Sequence, residues 1–244
     1  MNFKTHTMNI LIFGATSGIG RALAHQYVNR ENNVAITGRR QELLDKIKAK
    51  NPKKYLSIKH DIREVDFIPQ IIQQVHKTFG NIDLIIVNAG IGKYNLDLDW
   101  HICESVINTN IIGVTRAMTE SYNYFIQQQK GHLVNVSSVA SLMGNGTNPS
   151  YNASKAFQAN FMEGLWIKAK KSKKTNINIT DIRPGFVDTK LAQGETFWLA
   201  DVDTAAKQII RAIRKKKKIA YITKRWCLIA WLLKRMPNFL LKKM

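Results

Sequence analysis

Residues 9–20 have the sequence Asn-Ile-Leu-Ile-Phe-Gly-Ala-Thr-Ser-Gly-Ile-Gly, which is the most informative stretch for the fold class. The apolar run before Gly14 predicts a buried strand of a parallel sheet, and a helix is predicted to follow the last glycine. Gly14 permits a tight turn, Gly18 lets the backbone approach a pyrophosphate, and Gly20 lets the helix pack closely on the strand. The free N–H groups at the start of that helix favour phosphate. The stretch predicts a dinucleotide-binding turn, although such glycines also occur in purely structural turns.

Short apolar runs alternate with longer amphipathic stretches along most of the chain. Alternation of this kind, at about 30 residues per unit, predicts βαβ units. We therefore expect an α/β protein with a single Rossmann-like, doubly wound parallel sheet and helices on both faces. The predicted strands are Asn9–Phe13, Asn33–Thr37, Tyr55–Lys59, Ile82–Val87, His132–Val136, Asn176–Ile182 and Ile219–Thr223. The predicted helices are Ile19–Asn29, Gln41–Lys50, Phe67–Phe79, a long segment at 101–129, and Ser150–Ser172.

The composition is that of a globular protein with one domain of ordinary size. The chain has 244 residues, of which 45% are apolar and 22% are charged. Its two cysteines, Cys103 and Cys227, lie far apart, and none of its six histidines has a partner at zinc-site spacing. We therefore expect a reducing, cytoplasmic compartment, no disulfide and no metal site. No signal peptide is predicted, and Met8 is an alternative start to Met1 because the first strand begins directly after it.

The net charge of +20 is distributed unevenly along the chain. The first 210 residues carry 25 basic and 17 acidic side chains, whereas the last 34 carry 12 basic and no acidic side chains. Four of the basic residues form the run Lys215–Lys218. We divide the chain into a catalytic, cofactor-binding domain at 1–223 and a basic, amphipathic tail at 224–244.

The tail has an apolar core, Trp226–Leu233, between the basic pairs 224–225 and 234–235. This core is far shorter than the roughly 20 residues that span a bilayer. Trp226 and Trp231 with flanking cations are typical of a helix that lies in the membrane interface, so peripheral docking on an anionic membrane is one interpretation. In a second interpretation, the tail folds over the substrate pocket or a partner subunit. Nucleic-acid binding is a third, which we do not expect because no recognisable motif is present.

Tyr151 and Lys155 lie four residues apart on one predicted helix, and therefore on one face, a turn apart. A lysine cation beside a phenol favours the phenolate and lowers its pKa from about 10 toward neutrality. Ser137 and Ser138, just upstream, offer a hydroxyl that can hold a carbonyl oxygen while the phenol delivers a proton. These are the groups that a carbonyl reductase needs, although an isolated Tyr-x-x-x-Lys pair also arises by chance.

The chain resembles the short-chain dehydrogenase/reductase family over roughly residues 9–215. Each motif is weak alone, but their order and spacing together are very specific. Phe13 and Val87 depart from the threonine and asparagine most common in the family, at positions that carry no chemistry there. The motifs are Gly14–Gly20, Asp61, Asn88-Ala89-Gly90, Asn110, Ser138, Tyr151, Lys155, Pro184-Gly185 and Thr189.

The resemblance implies a role for each of these residues. The catalytic residues are implied to be Asn110, Ser138, Tyr151 and Lys155, since the family's serine lies thirteen residues before the tyrosine. Asn110 is implied to anchor a water that links Lys155 to solvent, Asp61 to meet the adenine, and Pro184–Thr189 to hold the nicotinamide carboxamide. The residues implied to contact the cofactor are Gly14, Thr16, Ser17, Gly18, Ile19, Gly20, Arg39, Asp61, Ile62, Asn88, Ala89, Gly90, Tyr151, Lys155, Pro184, Gly185, Val187 and Thr189. The family often pairs through the helices predicted at 101–129 and 150–172, so a homo-oligomer is one option.

The end of the second predicted strand indicates which dinucleotide binds. An acidic residue there would bind the ribose 2′-OH of NAD and repel a 2′-phosphate. This chain has Gly38 at that position, followed by Arg39 and Arg40, and a guanidinium suits phosphate. We expect NADP(H) to be preferred over NAD(H), with two solvated arginines at a helix start as the alternative.

The expected reaction is reduction of a carbonyl by hydride transfer from NADPH, with Tyr151 as proton donor and Ser138 stabilising the oxyanion. Three segments are expected to line the substrate pocket: Ile91–Tyr94, Leu142–Gly144 and Leu191–Leu199. They are mostly apolar, which favours a hydrophobic or lipid-like ketone or aldehyde, although Phe197 and Trp198 could instead pack on the sheet. The alternative is a non-catalytic dinucleotide-binding or sensing protein of the same fold, which needs the glycine turn but not the catalytic residues.

Overall fold

The apolar runs of the sequence form seven strands of one parallel sheet, in a computed structural model that describes residues 7–172, 174–189, 199–223 and 225–228. The strands are β1 (Asn9–Phe13), β2 (Asn33–Gly38), β3 (Tyr55–Lys59), β4 (Leu84–Val87), β5 (Lys130–Val136), β6 (Asn176–Pro184) and β7 (Ile219–Ile222). Their order is β3-β2-β1-β4-β5-β6-β7, and every neighbouring pair is parallel.

Helices cover both faces of this sheet, which confirms the predicted doubly wound α/β fold. They are α1 (Gly18–Val28), α2 (Gln41–Lys48), α3 (Ile68–Phe79), α4 (Trp100–Val106), α5 (Val114–Gln128), α6 (Pro149–Lys171) and α7 (Val202–Arg214). Apolar side chains of α1, α2 and α7 form one core with the sheet. Those of α3, α5 and α6 form a second core on the opposite face.

Several strand and helix ends differ from their predicted bounds by one or two residues, as in β5, which begins at Lys130 rather than His132. The long helical segment at 101–129 is composite, because a π-helical stretch, Ile107–Gly113, joins α4 to α5. β4 begins at Leu84 rather than Ile82, since the backbone of Ile82 is bound by side chains of α5. α7 is the one described α-helix without a predicted counterpart, although its sequence carries clear signals. Asp201 caps it by accepting from the Thr204 N–H at 2.8 Å, and its apolar side chains at four-residue spacing are buried.

The strand order places the candidate site at the carboxyl ends of the strands. The chain moves outward from β1 to β3, and then from β4 to β7 on the other side, so the loops after β1 and β4 diverge. In open α/β sheets the crevice between such loops is where ligands bind. The residues predicted to act all follow the carboxyl ends of strands or lie on the helices beside them.

His132, near the start of β5, makes the fold sensitive to acid. Burial, reinforced by the charge of Lys216, lowers the pKa of His132 from 6.5 to about 4, and its Nε2 lies 2.8 Å from the hydroxyl oxygen of Thr180. Because the folded protein resists protonating this ring, its contribution to stability is present above pH 6.5 and is lost as the pH falls toward 4.

We expect wild-type protein to lose about 2 kcal/mol more unfolding free energy than His132→Gln between pH 7 and pH 5. Urea unfolding followed by circular dichroism at the two pH values measures this difference. Equal losses in the two proteins would contradict the assignment to His132.

Candidate active site

The glycine turn after β1 is bound tightly to β2. The N–H groups of Gly14 and Ala15 donate to the Thr37 carbonyl at 3.2 and 2.9 Å. Gly14 and Gly18 have φ angles of +84° and +53°, in the left-handed region that favours glycine. Ser17 precedes α1, and its side chain makes no capping hydrogen bond. The first N–H groups of α1 are therefore not satisfied by a cap and suit an anionic ligand.

The turn has no room for side chains at its glycines. A Cβ on Gly20 would lie 2.2 Å from the Gly14 carbonyl oxygen, and a Cβ on Gly14 would lie 2.7 Å from the Cα of Ala89. Asn88 fixes this packing by donating from Nδ2 to the Gly14 carbonyl at 2.7 Å. A Cβ on Gly18 would touch Thr189 at 3.1 Å, so Thr189 lies against the turn from the β6 side. The result is a cradle lined by backbone, which fits a dinucleotide pyrophosphate.

The end of β2 brings a guanidinium to this cradle, and that guanidinium belongs to Arg40. Arg40 Nη2 donates to Thr16 Oγ1 at 2.7 Å and to Ser17 Oγ at 3.0 Å. Arg39, the predicted residue, is exposed, and its charge acts on Asp61. A Cβ on Gly38 would lie 2.5 Å from Thr16 Cγ2, so an acidic side chain there would require the Thr16 side chain to move. The sequence shows the two adjacent arginines, but it does not show which side chain points toward the glycine turn.

Asp61 and Ile62 follow β3, at the position predicted to meet the adenine. The Asp61 carboxylate accepts hydrogen bonds from the Arg63 side chain, including one from Nη2 at 2.6 Å and one from Nε at 3.0 Å, and these hold the pKa of the Asp61 carboxyl below its usual value. Ile62 is buried, and its carbonyl oxygen would be 2.5 Å from a Cβ on Gly113. Ile62 therefore packs against the π-helical stretch. Contact of Asp61 with the adenine, and of Ile62 with the cofactor, stay predictions.

Ser138, Tyr151 and Lys155 come together beside this cradle. Lys155 Nζ lies 5.8 Å from the centroid of the Tyr151 ring, and the Ser138 side chain is close enough to Tyr151 to influence the pKa of its phenol. The Ser138 hydroxyl oxygen also accepts from the Ala140 N–H at 3.1 Å. A Cβ on Gly92 would lie 3.0 Å from the Tyr151 ring, so the loop after β4 covers one face of the phenol.

Burial governs the titration of the tyrosine and the lysine. It raises the pKa of Tyr151 above 10, and the hydrogen bond with Ser138 opposes this shift. It lowers the pKa of Lys155 from 10.5 to about 8, and the charge of Asp181 opposes that shift. The direction of the pKa shift of Tyr151 is opposite to the one predicted from sequence, because loss of solvent is its largest cause. The phenol is therefore protonated at neutral pH.

Asn110 lies fully buried within the π-helical stretch and ties three segments together. Its Oδ1 accepts from the Ile91 N–H at 2.9 Å, and its Nδ2 donates to the Ile91 carbonyl at 2.8 Å and to Ser154 Oγ at 3.0 Å. Its own carbonyl accepts from Gln158 Nε2 at 2.8 Å. The other end of that amide, Gln158 Oε1, accepts from Lys155 Nζ at 3.1 Å. Gln158 was not among the predicted residues; its only sequence signal is a polar side chain one helical turn beyond Lys155.

Two of the three predicted pocket segments lie next to Tyr151. Ile91–Tyr94 contacts the ring through Gly92, and Asn152, the neighbour of Tyr151, donates to the Met143 carbonyl at 2.9 Å. Of Leu191–Leu199 only Leu199 lies within the described residues; Phe197 and Trp198 lie outside them. Beyond Tyr94 the loop exposes further large apolar side chains that sequence reasoning did not single out: Leu96, Leu98 and Trp100.

The loop after β6, predicted to hold the nicotinamide, is fixed at both ends. Asp188 N–H donates to the Ala200 carbonyl at 2.9 Å, and Ala200 N–H donates to the Phe186 carbonyl at 3.0 Å. Trp226, from the predicted tail, is buried with its ring centroid 5.5 Å from that of Phe186. A Cβ on Gly185 would lie 1.9 Å from Trp226 Nε1, so the start of the tail packs directly on this loop.

Comparison with known proteins agrees with this fold. A doubly wound parallel sheet with a glycine turn after its first strand defines the Rossmann type of nucleotide-binding protein. The model of the short chain dehydrogenase family matches residues 8–199, and the chain belongs to that family of oxidoreductases. An uncharacterized oxidoreductase of Myxococcus xanthus is 31% identical over 202 residues, which cover 81% of this chain and 77% of the relative.

Two further similarities are informative. The 3-oxoacyl-[acyl-carrier-protein] reductase FabG of Staphylococcus aureus is 28% identical over 191 residues, which cover 74% of this chain and 75% of that protein. The crystal structure of a short-chain dehydrogenase from Streptomyces avermitilis superposes with a TM-score of 0.82 at 22% identity. That match covers 94% of this chain and 92% of the other, and it shows the shared fold.

Proposed function

We propose that this oxidoreductase reduces a carbonyl compound to an alcohol with NADPH. The observation that carries the proposal is the geometry of the site, in which the Tyr151 ring lies beside the glycine cradle with Lys155 Nζ 5.8 Å from its centroid and the Ser138 side chain next to it. A neutral phenol is prepared to donate a proton, which is what reduction requires of it, whereas oxidation requires a base. The similarity to a 3-oxoacyl reductase supports the same direction.

Each catalytic side chain has one task in this scheme. The Ser138 hydroxyl binds the substrate carbonyl oxygen and stabilises the charge that develops on it. Tyr151 gives its phenolic proton to that oxygen. Lys155, as an ammonium, stabilises the phenolate that remains, and Asn110 holds the loop after β4 against α6. When bound, the nicotinamide supplies the hydride.

NADP(H) rather than NAD(H) is the proposed cofactor. Gly14, Gly18 and the start of α1 would hold the pyrophosphate, and Arg40 would meet the 2′-phosphate, with Arg39 beside it. The support is the position of Arg40 over Thr16 and Ser17, together with the crowding of Gly38 by the Thr16 side chain. The proposal also includes the cofactor contacts predicted for five further residues: Asn88, Gly90, Gly185, Val187 and Thr189.

Arg40→Ala should weaken NADPH binding by roughly 10- to 100-fold and leave NADH binding within about threefold, because only NADPH carries the phosphate that pairs with the guanidinium. Arg39→Ala should have the smaller effect, since that side chain is exposed. Titration of intrinsic fluorescence with each dinucleotide measures both affinities. Arg214→Ala, an exposed arginine on α7, is the control, and equal losses for the two dinucleotides in Arg40→Ala would contradict the assignment.

We propose a hydrophobic or lipid-like ketone or aldehyde as substrate. The support is the apolar character of the segments next to Tyr151, which include the exposed side chain of Tyr94, and the exposed apolar side chains that follow it in the chain, Leu96, Leu98 and Trp100. The alternative, a protein that only binds or senses the dinucleotide, would not need Ser138, Tyr151 and Lys155 in contact. Turnover that is lost in Tyr151→Phe separates the two functions.

We also propose contact with an anionic membrane surface. The described basic residues near the end of the chain fall into two groups, which lie at opposite ends of the sheet. Lys215–Lys218 precedes β7, at the amino end, where the exposed Lys130, Lys171 and Lys174 also lie. Arg225–Leu228 follows β7, at the carboxyl end, where Trp226 is buried against Phe186. Burial of Trp226 favours the interpretation in which the tail begins by packing on the domain. Among the described residues, no helix is long and apolar enough to cross a membrane.

Replacement of Lys215, Lys216 and Lys217 by Gln should lower binding to phosphatidylserine-containing liposomes by roughly tenfold or more, because each cation near such a surface contributes up to about 1 kcal/mol. Truncation after Leu228, which keeps Trp226, tests the rest of the tail separately. Sedimentation with liposomes, with neutral phosphatidylcholine as control, measures both. If all forms pellet equally with anionic and neutral lipid, the membrane proposal is wrong.

A homo-oligomer also stays a prediction. Its support is that Ile112, Phe157 and Ile167, on the π-helical stretch and α6, are 50%, 40% and 44% exposed. These are the helices through which the family often pairs, and a second copy would cover such side chains.

A further inference from the structure

The side chain of Gln158 is fully buried on α6, and both ends of its amide are used. Nε2 donates to the Asn110 carbonyl at 2.8 Å, and Oε1 accepts from Lys155 Nζ at 3.1 Å. Asn135 on β5 also approaches Oε1, at 3.4 Å from its Nδ2. A buried amide that is satisfied at both ends is fixed in orientation, because rotation would leave a donor or acceptor unpaired.

The same contacts fix the direction of the Lys155 ammonium. Of its three N–H groups, one is directed to the Val136 carbonyl at 3.1 Å and one to Gln158 Oε1 at 3.1 Å. The nearby groups on the cleft side are the Tyr151 ring, whose centroid is 5.8 Å away, and Gly90, whose Cβ position is 3.4 Å away. The third N–H is therefore left to face the cleft and the phenol.

We propose that Gln158 is the positioning residue of Lys155, and that its amide replaces the water expected between Lys155 and Asn110. This inference rests on the proposed function. Gln158 anchors the ammonium from behind, so that the remaining N–H is directed toward Tyr151. A fixed amide does not pass protons on as a reorienting water does. Tyr151 is therefore reprotonated from the cleft side of Lys155 and not through the Asn110 carbonyl.

Among the described residues, few other titratable or charged groups lie close enough to Lys155 to influence its pKa. Tyr151 faces it from the same helix, and Asp181 faces it from β6, where the carboxylate accepts from Arg183 Nε at 2.7 Å. Asn110 on the π-helical stretch and Asn135 on β5 are neutral amides. Burial lowers the pKa of Lys155 to about 8, with Asp181 opposing, so a change at position 158 acts on a group that already titrates near the working pH.

Two nearly isosteric substitutions should move the titration of Lys155 in opposite directions. Gln158→Met removes the acceptor and should lower the Lys155 pKa by about one unit, whereas Gln158→Glu adds a carboxylate and should raise it by about one unit. Gln128→Met is the matched control, since Gln128 also crosslinks backbone carbonyls, of Ile82 and Lys130, but at the amino end of the sheet. This control substitution should leave the pKa of Lys155 unchanged.

The measurement is an NMR titration of protein labelled with ¹³C at the lysine ε-carbons, with the Lys155 signal assigned by its absence in Lys155→Met. This readout needs no substrate, so it stands even if the proposed reduction fails. In turnover, kcat of Gln158→Met should fall by roughly tenfold with KM within about twofold, and the alkaline limb of the kcat profile should follow the NMR pKa.

Shifts of opposite sign, absent in Gln128→Met, support the positioning role. Shifts below about 0.3 unit in both variants, or shifts of the same sign, overturn it. Should Gln158→Met fail to fold, Gln158→Glu decides alone: a carboxylate held against Lys155 Nζ must raise the Lys155 pKa, so a shift below about 0.3 unit or a downward shift overturns the proposal. Loss of turnover in the wild type with the NMR shifts intact would count against the proposed function and leave the positioning of Lys155 in place.

Discussion

Tyr151→Phe should lower kcat for carbonyl reduction by roughly 1,000-fold while NADPH binds within about threefold of its wild-type affinity. The substitution removes one oxygen atom, the proton donor, and leaves a ring that still packs against Gly92. Because Lys155 is held by Val136 and Gln158 rather than by the phenol, its position should survive the change. NADPH oxidation at 340 nm gives kcat, and fluorescence titration gives the affinity.

Tyr27→Phe is the control for this substitution. Tyr27 is buried on α1, and its hydroxyl has no hydrogen-bond partner among the described residues. Removing that hydroxyl should leave kcat unchanged and should not reduce stability. A Tyr151→Phe enzyme that retains wild-type kcat would show that Tyr151 is not the proton donor.

Gly20→Ala should abolish tight cofactor binding, with a loss in NADPH affinity of roughly 100-fold. The new Cβ would lie 2.2 Å from the Gly14 carbonyl oxygen and 2.5 Å from Asn88 Nδ2. The first contact is with backbone, so it is relieved only if α1 moves away from β1, and that movement displaces the N–H groups that face phosphate. Overpacking of this kind should also cost about 1–3 kcal/mol of stability. Isothermal titration with NADPH and urea unfolding measure the two effects.

Gly164→Ala provides the matched control on α6. A Cβ there meets nothing within 4 Å. Because alanine restricts the unfolded chain and favours helix, this variant should be about 0.5–1 kcal/mol more stable and should bind NADPH normally. If Gly20→Ala behaves like Gly164→Ala in both assays, the close packing of the turn does not control cofactor binding.

The sequence was most informative where function constrains local geometry. β1 and β3 have their predicted bounds, because short apolar runs between turns leave few alternatives. Ser138, Tyr151 and Lys155 meet as expected, since helix geometry places two of them on one face and the order of strands brings the third alongside.

The sequence was least informative where direction or long-range contact decides the outcome. Two adjacent arginines predict a guanidinium near the cofactor site. Which of the two side chains points toward Thr16 depends on the path of the chain into α2. Gln158 carries no motif, and its importance comes from Asn110, which lies 48 residues earlier in the chain. The pKa of Tyr151 shifts against the sequence-based expectation because burial is a property of the whole fold.

Carbonyl reduction by this protein can be measured as NADPH oxidation against a panel of carbonyls, from small diketones to long-chain and cyclic lipophilic ketones and aldehydes. Each assay is paired with NADH and with the Tyr151→Phe variant. We expect turnover of at least one lipophilic carbonyl, a higher kcat/KM with NADPH than with NADH, and loss of that turnover in Tyr151→Phe. Tight NADPH binding with no turnover of any member of the panel would contradict the proposed reduction and favour a protein that senses the dinucleotide.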